Sequence, residues 1–174
     1  AVLLNAGPGG FTGLRVAHAA AQALAIATGV AVVQVCAARC ARQASVMAGD
    51  LDAGLPAWVA LASKGTESWL RRVQPRDDSC AGRSIECAAW HADGARHLVC
   101  DEHLPRSFAD RAAALGITML PLRVDARAVI EVGRADIELG RCTPSEALVP
   151  AYPREAEAVR LWRLRHGART DGTA

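Results

Sequence analysis

The sequence predicts an α/β fold in which mixed sheets are covered by packed helices. Short apolar strands alternate along the chain with helix-like segments, which is the pattern of βαβ units. A glycine-rich turn at residues 7–15 connects a strand at residues 1–6 to an alanine-rich helix at residues 13–28. The 174 residues are 51% apolar, and this is enough to bury a core in one domain or in two small lobes.

The first unit of the chain has the order strand, loop, helix and strand. Thr12 is predicted to be the N-cap of the helix, and Gly29 has the position of a helix stop. Residues 30–35 (VAVVQV) form a β-branched apolar run that is typical of a buried strand in a parallel sheet. A second helix is predicted at residues 36–47.

The rest of the chain continues the alternation of sheet and helix. Strands are predicted at residues 57–62, 67–74, 84–91, 95–100 and 117–122, and helices at residues 105–115 and 125–140. The pair Asp93-Gly94 predicts that strands 84–91 and 95–100 form a hairpin. The helix at residues 125–140 is amphipathic, and we expect its acidic residues to lie on the side opposite its apolar ones.

Two interpretations of the glycine-rich turn remain open from the residues alone. Glycines let a backbone turn sharply and approach another group closely, and the positive end of the following helix would face the turn. An anion could bind there, which makes Gly7, Gly9, Gly10, Thr12 and Gly13 candidate nucleotide-binding residues. The turn could instead be structural, because it has neither the Gly-Lys-Ser/Thr ending of the Walker loop nor the Gly-x-Gly-x-x-Gly spacing.

The helix after the turn is apolar on nearly all sides. Arg15, His18 and Gln22 form one narrow polar stripe, and the remaining residues are small and apolar. Such a helix is either buried in the core or covered by a partner that its alanines allow to approach closely. The second interpretation makes the three residues of the stripe candidate partner-binding residues.

No set of residues in the sequence has the spacing of a catalytic or metal site. Cys87, His91, His97, Cys100 and His103 invite a metal hypothesis, but none of the usual zinc spacings is present, so a role in hairpin surface and packing is favoured. Neither a general acid and base pair nor a serine, histidine and acid set is found, so no residue is assigned as catalytic or metal-binding. Six cysteines in a chain without secretory features indicate reduced thiols.

Composition and charge exclude several further classes. The net charge of +2 is too small to indicate nucleic-acid binding by itself. No apolar run is suited to spanning a bilayer and no secretory signal is found, so we expect a cytoplasmic protein without membrane contact. Arginines crowd the last twenty residues, where they could contact nucleic-acid phosphates; solvation of the tail is favoured because Trp162 is the aromatic residue among them.

Two segments of the sequence resemble a known family. The string GPGGFTGLR at residues 7–15 closely resembles the Gly-Pro-Gly-Ser-Phe-Thr-Gly-Leu/Val-Arg signature of the TsaB family, a group of YeaZ-like, glycoprotease-like bacterial proteins, with Gly10 in place of the serine. Near the end, Pro150, Tyr152 and Arg154 match the family's Pro-x-Tyr-Leu-Arg segment. The resemblance covers most of this chain.

The resemblance implies an actin-like, sugar-kinase-like (ASKHA) fold that is incomplete here. In the family a strand with an Asp-Thr-Ser-like segment, a hairpin partner and a helix precede the glycine loop, so we expect an N-terminally truncated member. Residues 1–48 would be the remainder of the N-terminal lobe, residues 49–154 the C-terminal lobe, and residues 155–174 a partly disordered tail.

The resemblance also implies a function. It predicts a non-catalytic subunit that supports a TsaD-like transferase in making threonylcarbamoyladenosine (t6A) in tRNA, with a TsaE-like ATPase as a further partner and tRNA as an indirect one. The chain could also form a homodimer. No cofactor is assigned to the chain itself, although ATP or ADP could bind at the partner interface. The alternative is an enzyme, either a glycoprotease-like hydrolase or a kinase-like protein that uses the glycine-rich loop on ATP.

Overall fold

The computed structural model describes residues 1–76, 81–153 and 157–166. These residues form two sheets that are covered by α-helices. The strands are β1 (Val2–Gly7), β2 (Val32–Cys36), β3 (Ala57–Lys64), β4 (Glu67–Val73), β5 (Arg83–Glu86), β6 (His97–Cys100) and β7 (Thr118–Pro121). The helices are α1 (Phe11–Thr28), α2 (Ala37–Met47), α3 (Arg106–Ala114), α4 (Ala126–Glu138) and α5 (Glu157–His166), with short 3-10 turns at Cys87–Ala89 and Ser145–Ala147.

The first βαβ unit is confirmed. Strands β1 and β2 pair in parallel to form a small sheet, and α1 connects them. On one face of this sheet Leu4 and Val32 pack with Ala21 of α1. On the other face Val33 and Val35 pack with residues of α2 and α4. Both faces of β2 are therefore covered, as its uninterrupted apolar run predicts.

The two ends of α1 differ in how well the sequence predicts them. Gly29 follows the helix in the left-handed conformation (φ 69°), and its amide donates to the carbonyl of Ala25, which confirms the predicted helix stop. The predicted N-cap is wrong. The helix begins at Phe11 with Gly10 as N-cap, no side chain caps it, and Thr12 lies inside the first turn.

The large sheet has the order β5-β4-β3-β6-β7. Strands β3, β4 and β5 are antiparallel, whereas β6 pairs in parallel with both β3 and β7. The predicted hairpin between the segments around Asp93-Gly94 is therefore wrong, although both residues have the positive φ angles of a tight turn, 45° and 77°. The reason is that Leu98 and Val99 are buried on opposite faces of the sheet, which places β6 in its interior.

Helix α2 lies between the two sheets. Its Ala38 and Ala41 pack with Val59 and Val99 of the large sheet. On another side, Cys40 packs with the apolar residues of β2 and α4. The outer face of the large sheet is covered by α3, whose Phe108 and Ala112 are buried. The layers are thus α1, the small sheet, α2 with α4, the large sheet and α3.

Helix α4 returns to the small sheet although it lies late in the chain. A Cβ atom on Gly133 would lie 2.7 Å from Leu3 of β1, so the absence of a side chain lets helix and strand approach closely. The predicted division into lobes at residues 48 and 154 stays a prediction, and α4 packs against elements of the first segment.

A buried ion pair holds α4 to α2. Asp136 is 2% exposed, and its carboxylate accepts two hydrogen bonds from Arg39 (2.6 and 3.0 Å) and one from Arg141 (3.0 Å). The expectation that the acidic residues of this helix lie on its exposed side is wrong for Asp136. The cause is that Asp136 follows Ala128 and Val132 at intervals of four residues on the buried face, where Arg39 supplies the opposite charge.

We expect Asp136→Asn to lower the free energy of unfolding by about 3 kcal/mol, because it removes the buried carboxylate that accepts hydrogen bonds from Arg39 and Arg141. Urea denaturation followed by circular dichroism measures this change. The matched control is Asp110→Asn, which removes an exposed pair with Arg106 at 3.9 Å and should change stability by no more than the error. Equal, small effects of both substitutions would show that the buried pair does not stabilise the fold.

Candidate functional site

The glycine-rich loop begins with a glycine that the fold itself requires. Gly7 has a φ of 101°, and its amide donates to Oδ1 of Asn5 at 2.9 Å. A Cβ atom on Gly7 would lie 2.9 Å from the carbonyl oxygen of Ala151 and 3.0 Å from Cδ1 of Leu14. Both the backbone conformation and the packing therefore favour glycine at this position.

The other three glycines of the loop are not required by this chain. Gly9, Gly10 and Gly13 are absent from the residues with positive φ. A Cβ atom on Gly10 or Gly13 would meet no atom within 4 Å, and one on Gly9 would make only ordinary contact with Leu14 at 3.9 Å. Gly13 also lies in the first turns of α1, where glycine is less favourable than alanine by about 0.5–1 kcal/mol. The bare backbone is thus available for close approach by a molecule outside this chain.

The two segments that carry the family resemblance meet at this loop. The amide of Ala151 donates to the carbonyl of Ala6 at 2.7 Å. The rings of Phe11 and Tyr152 lie 5.2 Å apart, and the guanidinium of Arg15 lies 5.2 Å from the centre of the Phe11 ring. All three side chains are exposed. Arg154, the last residue of the matched segment, lies outside the described residues.

A cavity of about 610 Å³ opens beside the loop, between α2, the end of β3 and the start of α4. Pro8, Gly9 and Gly10 line it, together with side chains that are mostly apolar. Its charged lining groups are Asp101, Arg123 and Asp125. The cavity has the size of a small-molecule pocket.

The charged groups of this cavity already have partners or carry negative charge. Arg123 forms an ion pair with Asp50 at 2.9 Å. Asp125 caps α4 by accepting from the amide of Arg127, and the hydrogen bonds from Arg127, first of all from its side chain, lower the pKa of the Asp125 carboxyl. A phosphate in this cavity would thus meet carboxylates, and its binding would depend on the loop amides or on a cation.

The remaining candidate chemistry does not converge on one place. Cys40 lines the cavity, but burial raises its pKa to about 12, so the thiol stays protonated and is a poor nucleophile at neutral pH. Within the described parts of the chain, no group of three or more histidine, cysteine and acidic residues is arranged to hold a metal ion. The five side chains of the predicted cluster near His97 therefore form no such group.

Two of the three predicted partner-binding residues face the body of the protein. His18 is 5% exposed. Its Nδ1 donates to the backbone carbonyl of Leu14 at 2.7 Å, and its Nε2 accepts from the side-chain amide of Gln34 at 3.0 Å. Gln22 donates to the carbonyl of Ser145 at 3.1 Å. Arg15 alone of the three is exposed. Their partner-binding role stays a prediction.

The opposite side of α1 is apolar and exposed. We call it the α1 apolar face and define it by Val16, Ala20, Ala23, Leu24 and Ala27. Val16 is 64% exposed and Leu24 is 50% exposed. The interpretation of α1 as a helix buried in the core of this chain is therefore wrong, because it packs against the small sheet on one side only. Contiguous exposed apolar surface of this kind marks interaction sites.

The apolar character of α1 does not make it a membrane segment. Over the described ranges, no helix combines the length and the apolarity that crossing a bilayer requires. The α1 apolar face lies next to the bare glycine loop, and an exposed apolar helix surface suits contact with a second helix or a protein groove.

These features define a mixed α/β protein in which helix α2 packs between a small parallel sheet and a larger mixed sheet. Neither a protein-family model nor a curated protein matches the sequence. Two solved structures from Pseudomonas aeruginosa are similar. One is an uncharacterized protein with similarity to the peptidase YeaZ, with a TM-score of 0.64 and 16% identity over 86% of this chain and 71% of that chain. The other is YeaZ, with a TM-score of 0.64 and 15% identity over 85% of this chain and 71% of that chain.

With identities of 16% and 15%, the comparison shows that the fold is similar. The chain has a YeaZ-like fold of the actin-like type, which confirms the fold class expected from the glycine-loop signature. The expectation that further strands precede residue 1 stays a prediction.

The two kinds of loop glycine predict opposite effects of the same substitution. We expect Gly7→Ala to lower the free energy of unfolding by about 1–3 kcal/mol, because alanine is strained at positive φ and would crowd Ala151. Gly13→Ala should instead raise it by about 0.5–1 kcal/mol, because alanine favours the helix and meets open space. Thermal unfolding of both variants measures the difference, and destabilisation by Gly13→Ala would mean that the fold does require this glycine.

Proposed function

We propose that this protein is a non-catalytic, TsaB-like subunit that supports a TsaD-like transferase in the t6A modification of tRNA. The observation that carries the proposal is the α1 apolar face, which lies beside the bare glycine loop in a YeaZ-like fold. An exposed apolar helix face needs a partner, and small alanine side chains let a partner helix approach closely. The family signature at residues 7–15 supports the choice of partner.

The glycine loop has a supporting role in this proposal. Gly9, Gly10, Thr12 and Gly13 would lie at the edge of the interface, where the partner's backbone or a bound ATP or ADP could approach the loop amides. The carboxylates of the adjoining cavity disfavour a nucleotide bound by this chain alone. A nucleotide would therefore be held between the two subunits.

Further partners follow from the same proposal. A TsaE-like ATPase would join the assembly, tRNA would contact it through the catalytic subunit, and the protein would work in the cytoplasm. A second copy of this chain would compete for the α1 apolar face when the catalytic subunit is absent. Size-exclusion chromatography over a range of concentrations tests that homodimer.

We expect Leu24→Glu to weaken binding to the TsaD-like subunit of the same organism by at least about tenfold, because the charge would be buried in an apolar interface. Calorimetric titration of the two purified proteins measures the effect. The matched control is Leu115→Glu, which adds the same charge at an apolar side chain of similar exposure that follows α3. If Leu24→Glu binds as tightly as the unchanged protein, the α1 apolar face is not the interface.

The Gly13→Ala variant distinguishes an effect on partner binding from an effect on the stability of the fold. We expect it to bind the TsaD-like subunit less tightly although it unfolds at a higher temperature, since the added methyl group projects from the helix surface beside the α1 apolar face. Unchanged affinity would mean that no partner approaches the loop at Gly13.

One observation favours the alternative of an enzyme that acts on ATP. The glycine loop and two carboxylates, Asp101 and Asp125, line the same cavity of about 610 Å³, and carboxylates can hold the magnesium ion of a nucleotide. This alternative predicts ATP turnover by the isolated chain that Asp101→Asn abolishes. Absence of turnover without a partner, together with binding to the TsaD-like subunit, favours the accessory role.

A further inference from the structure

The cavity of about 610 Å³ beside the glycine loop has walls that are mostly apolar. Helix α2 lines it with small side chains, while β3, the segment after β7 and α4 line it with larger apolar ones, among them Leu61, Leu122 and Val129. Val124 also lines the cavity and is 97% exposed. A molecule bound here would therefore remove apolar surface from water, which favours binding.

The backbone is irregular where β3 ends beside this cavity. Ala62 lines the cavity with a φ of 51°, a conformation that residues other than glycine seldom adopt. The pairing of β3 with β4 also shifts its register between Leu61 and Lys64. Bulges and unusual backbone conformations occur preferentially beside functional sites. The end of β3 thus favours a ligand-binding role for the cavity independently of the apolar walls.

Asp101 gives the cavity a carboxylate without an ion-pair partner. The residue is half-buried, and its Oδ1 accepts from the backbone amide of His103 at 3.0 Å. In the described parts of the chain, no arginine, lysine or histidine side chain pairs with this carboxylate. Because a carboxylate accepts several hydrogen bonds, Asp101 can receive another one from a ligand.

The other two charged groups of the lining already have partners of opposite charge. Arg123 pairs with Asp50 at 2.9 Å, and Asp125 pairs with Arg127 at 3.0 Å. Among the described residues, the lining therefore offers an unpaired carboxylate and no unpaired cation. An anion would meet repulsion next to Asp101, whereas a cation would find its counter-charge there.

Asn5 supplies a hydrogen-bond donor at the glycine-loop side of the cavity. Its Oδ1 accepts from the amide of Gly7 at 2.9 Å, and its Nδ2 takes part in no hydrogen bond within the described residues. The amide nitrogen of asparagine carries two N–H donors. A neutral oxygen or ring nitrogen of a ligand can accept from it.

We propose that this cavity binds a small organic cation, a molecule with an apolar body and a protonated amino group. The walls would cover the body, Asp101 would accept from the ammonium group, and Asn5 would donate to a polar atom of the ligand. The volume lies within the range of about 300–1,000 Å³ for small-molecule pockets. The proposal does not depend on the accessory role proposed above, because no residue of the α1 apolar face lines the cavity.

Calorimetric titration of the full chain with tryptamine tests the site. Tryptamine joins an aromatic body to an ammonium group, while tryptophol has a hydroxyl and indoleacetate a carboxylate in the place of the charge. We expect saturable binding of tryptamine, with tryptophol weaker by at least about tenfold and indoleacetate weaker still, because hydrogen bonds between charged groups are the strong ones. Absence of saturable binding, or equal affinity for tryptamine and tryptophol, would overturn the proposal.

The variant Asp101→Asn removes the charge but keeps an oxygen that can accept from the His103 amide. We expect it to weaken tryptamine binding by at least about tenfold and to leave tryptophol binding unchanged. The matched control is Asp52→Asn, because Oδ1 of Asp52 also accepts from the amide two residues later, that of Gly54 at 2.7 Å, but Asp52 does not line the cavity. Equal weakening by both substitutions would contradict a site at Asp101. If Asp101→Asn does not fold by circular dichroism, the comparison of tryptamine with tryptophol decides.

Two further titrations distinguish other occupants of the cavity. ATP with magnesium ions tests whether Asp101 and Asp125 hold the metal of a nucleotide, and N-acetyllysine amide tests whether the cavity receives a lysine side chain of a partner protein. We expect both to bind more weakly than tryptamine. Tighter binding of either one would assign the cavity to that occupant and overturn the proposal. Loss of binding to the TsaD-like subunit would leave it standing, since that result concerns the α1 apolar face.

Discussion

The packing of α2 against both sheets is the constraint on which the rest of the structure depends. Small residues such as Ala38 and Ala41 bring this helix close to the large sheet, while Cys40 contacts the small sheet and α4. The Arg39–Asp136 ion pair then fixes α4 on α2. Because the helix is shared, its two free sides each border a cavity. One is lined by the glycine loop and the other by Arg39 and Arg42 of α2, so the positions of both cavities follow from one packing arrangement.

The glycine loop combines a structural and a surface role that its composition does not separate. Gly7 is required by its backbone conformation and by Ala151, whereas Gly10 and Gly13 border open space. Helix α1 has no side-chain cap at its N-terminus and contains Gly13, and both features lower its local stability. That stability is lost at the edge of the exposed α1 apolar face. The loop therefore has the properties of a contact surface more than those of a closed phosphate site.

How far the sequence predicts the fold depends on how local each determinant is. The βαβ unit was predictable because a β-branched run and Gly29 act within a few residues. The pairing of β6 with β3 and β7 was not predictable, because a tight turn at Asp93-Gly94 fixes a reversal of the chain but not the strands that β6 pairs with. The burial of Asp136 was not predictable either, because its partner Arg39 lies 97 residues away in the sequence. The interval of four residues from Val132 was the one sequence signal for its burial.

The inward orientation of His18 has the same kind of cause, since Gln34 and the Leu14 carbonyl satisfy its ring nitrogens. Once the polar side of α1 is bonded to the body of the protein, its alanines and Leu24 must face outward. Alanine forms helices without support from packing, so the helix can persist with one side uncovered. Exposed apolar surface of this extent carries a risk of aggregation that a permanent partner removes. The same polar contacts that orient α1 therefore leave its apolar side exposed.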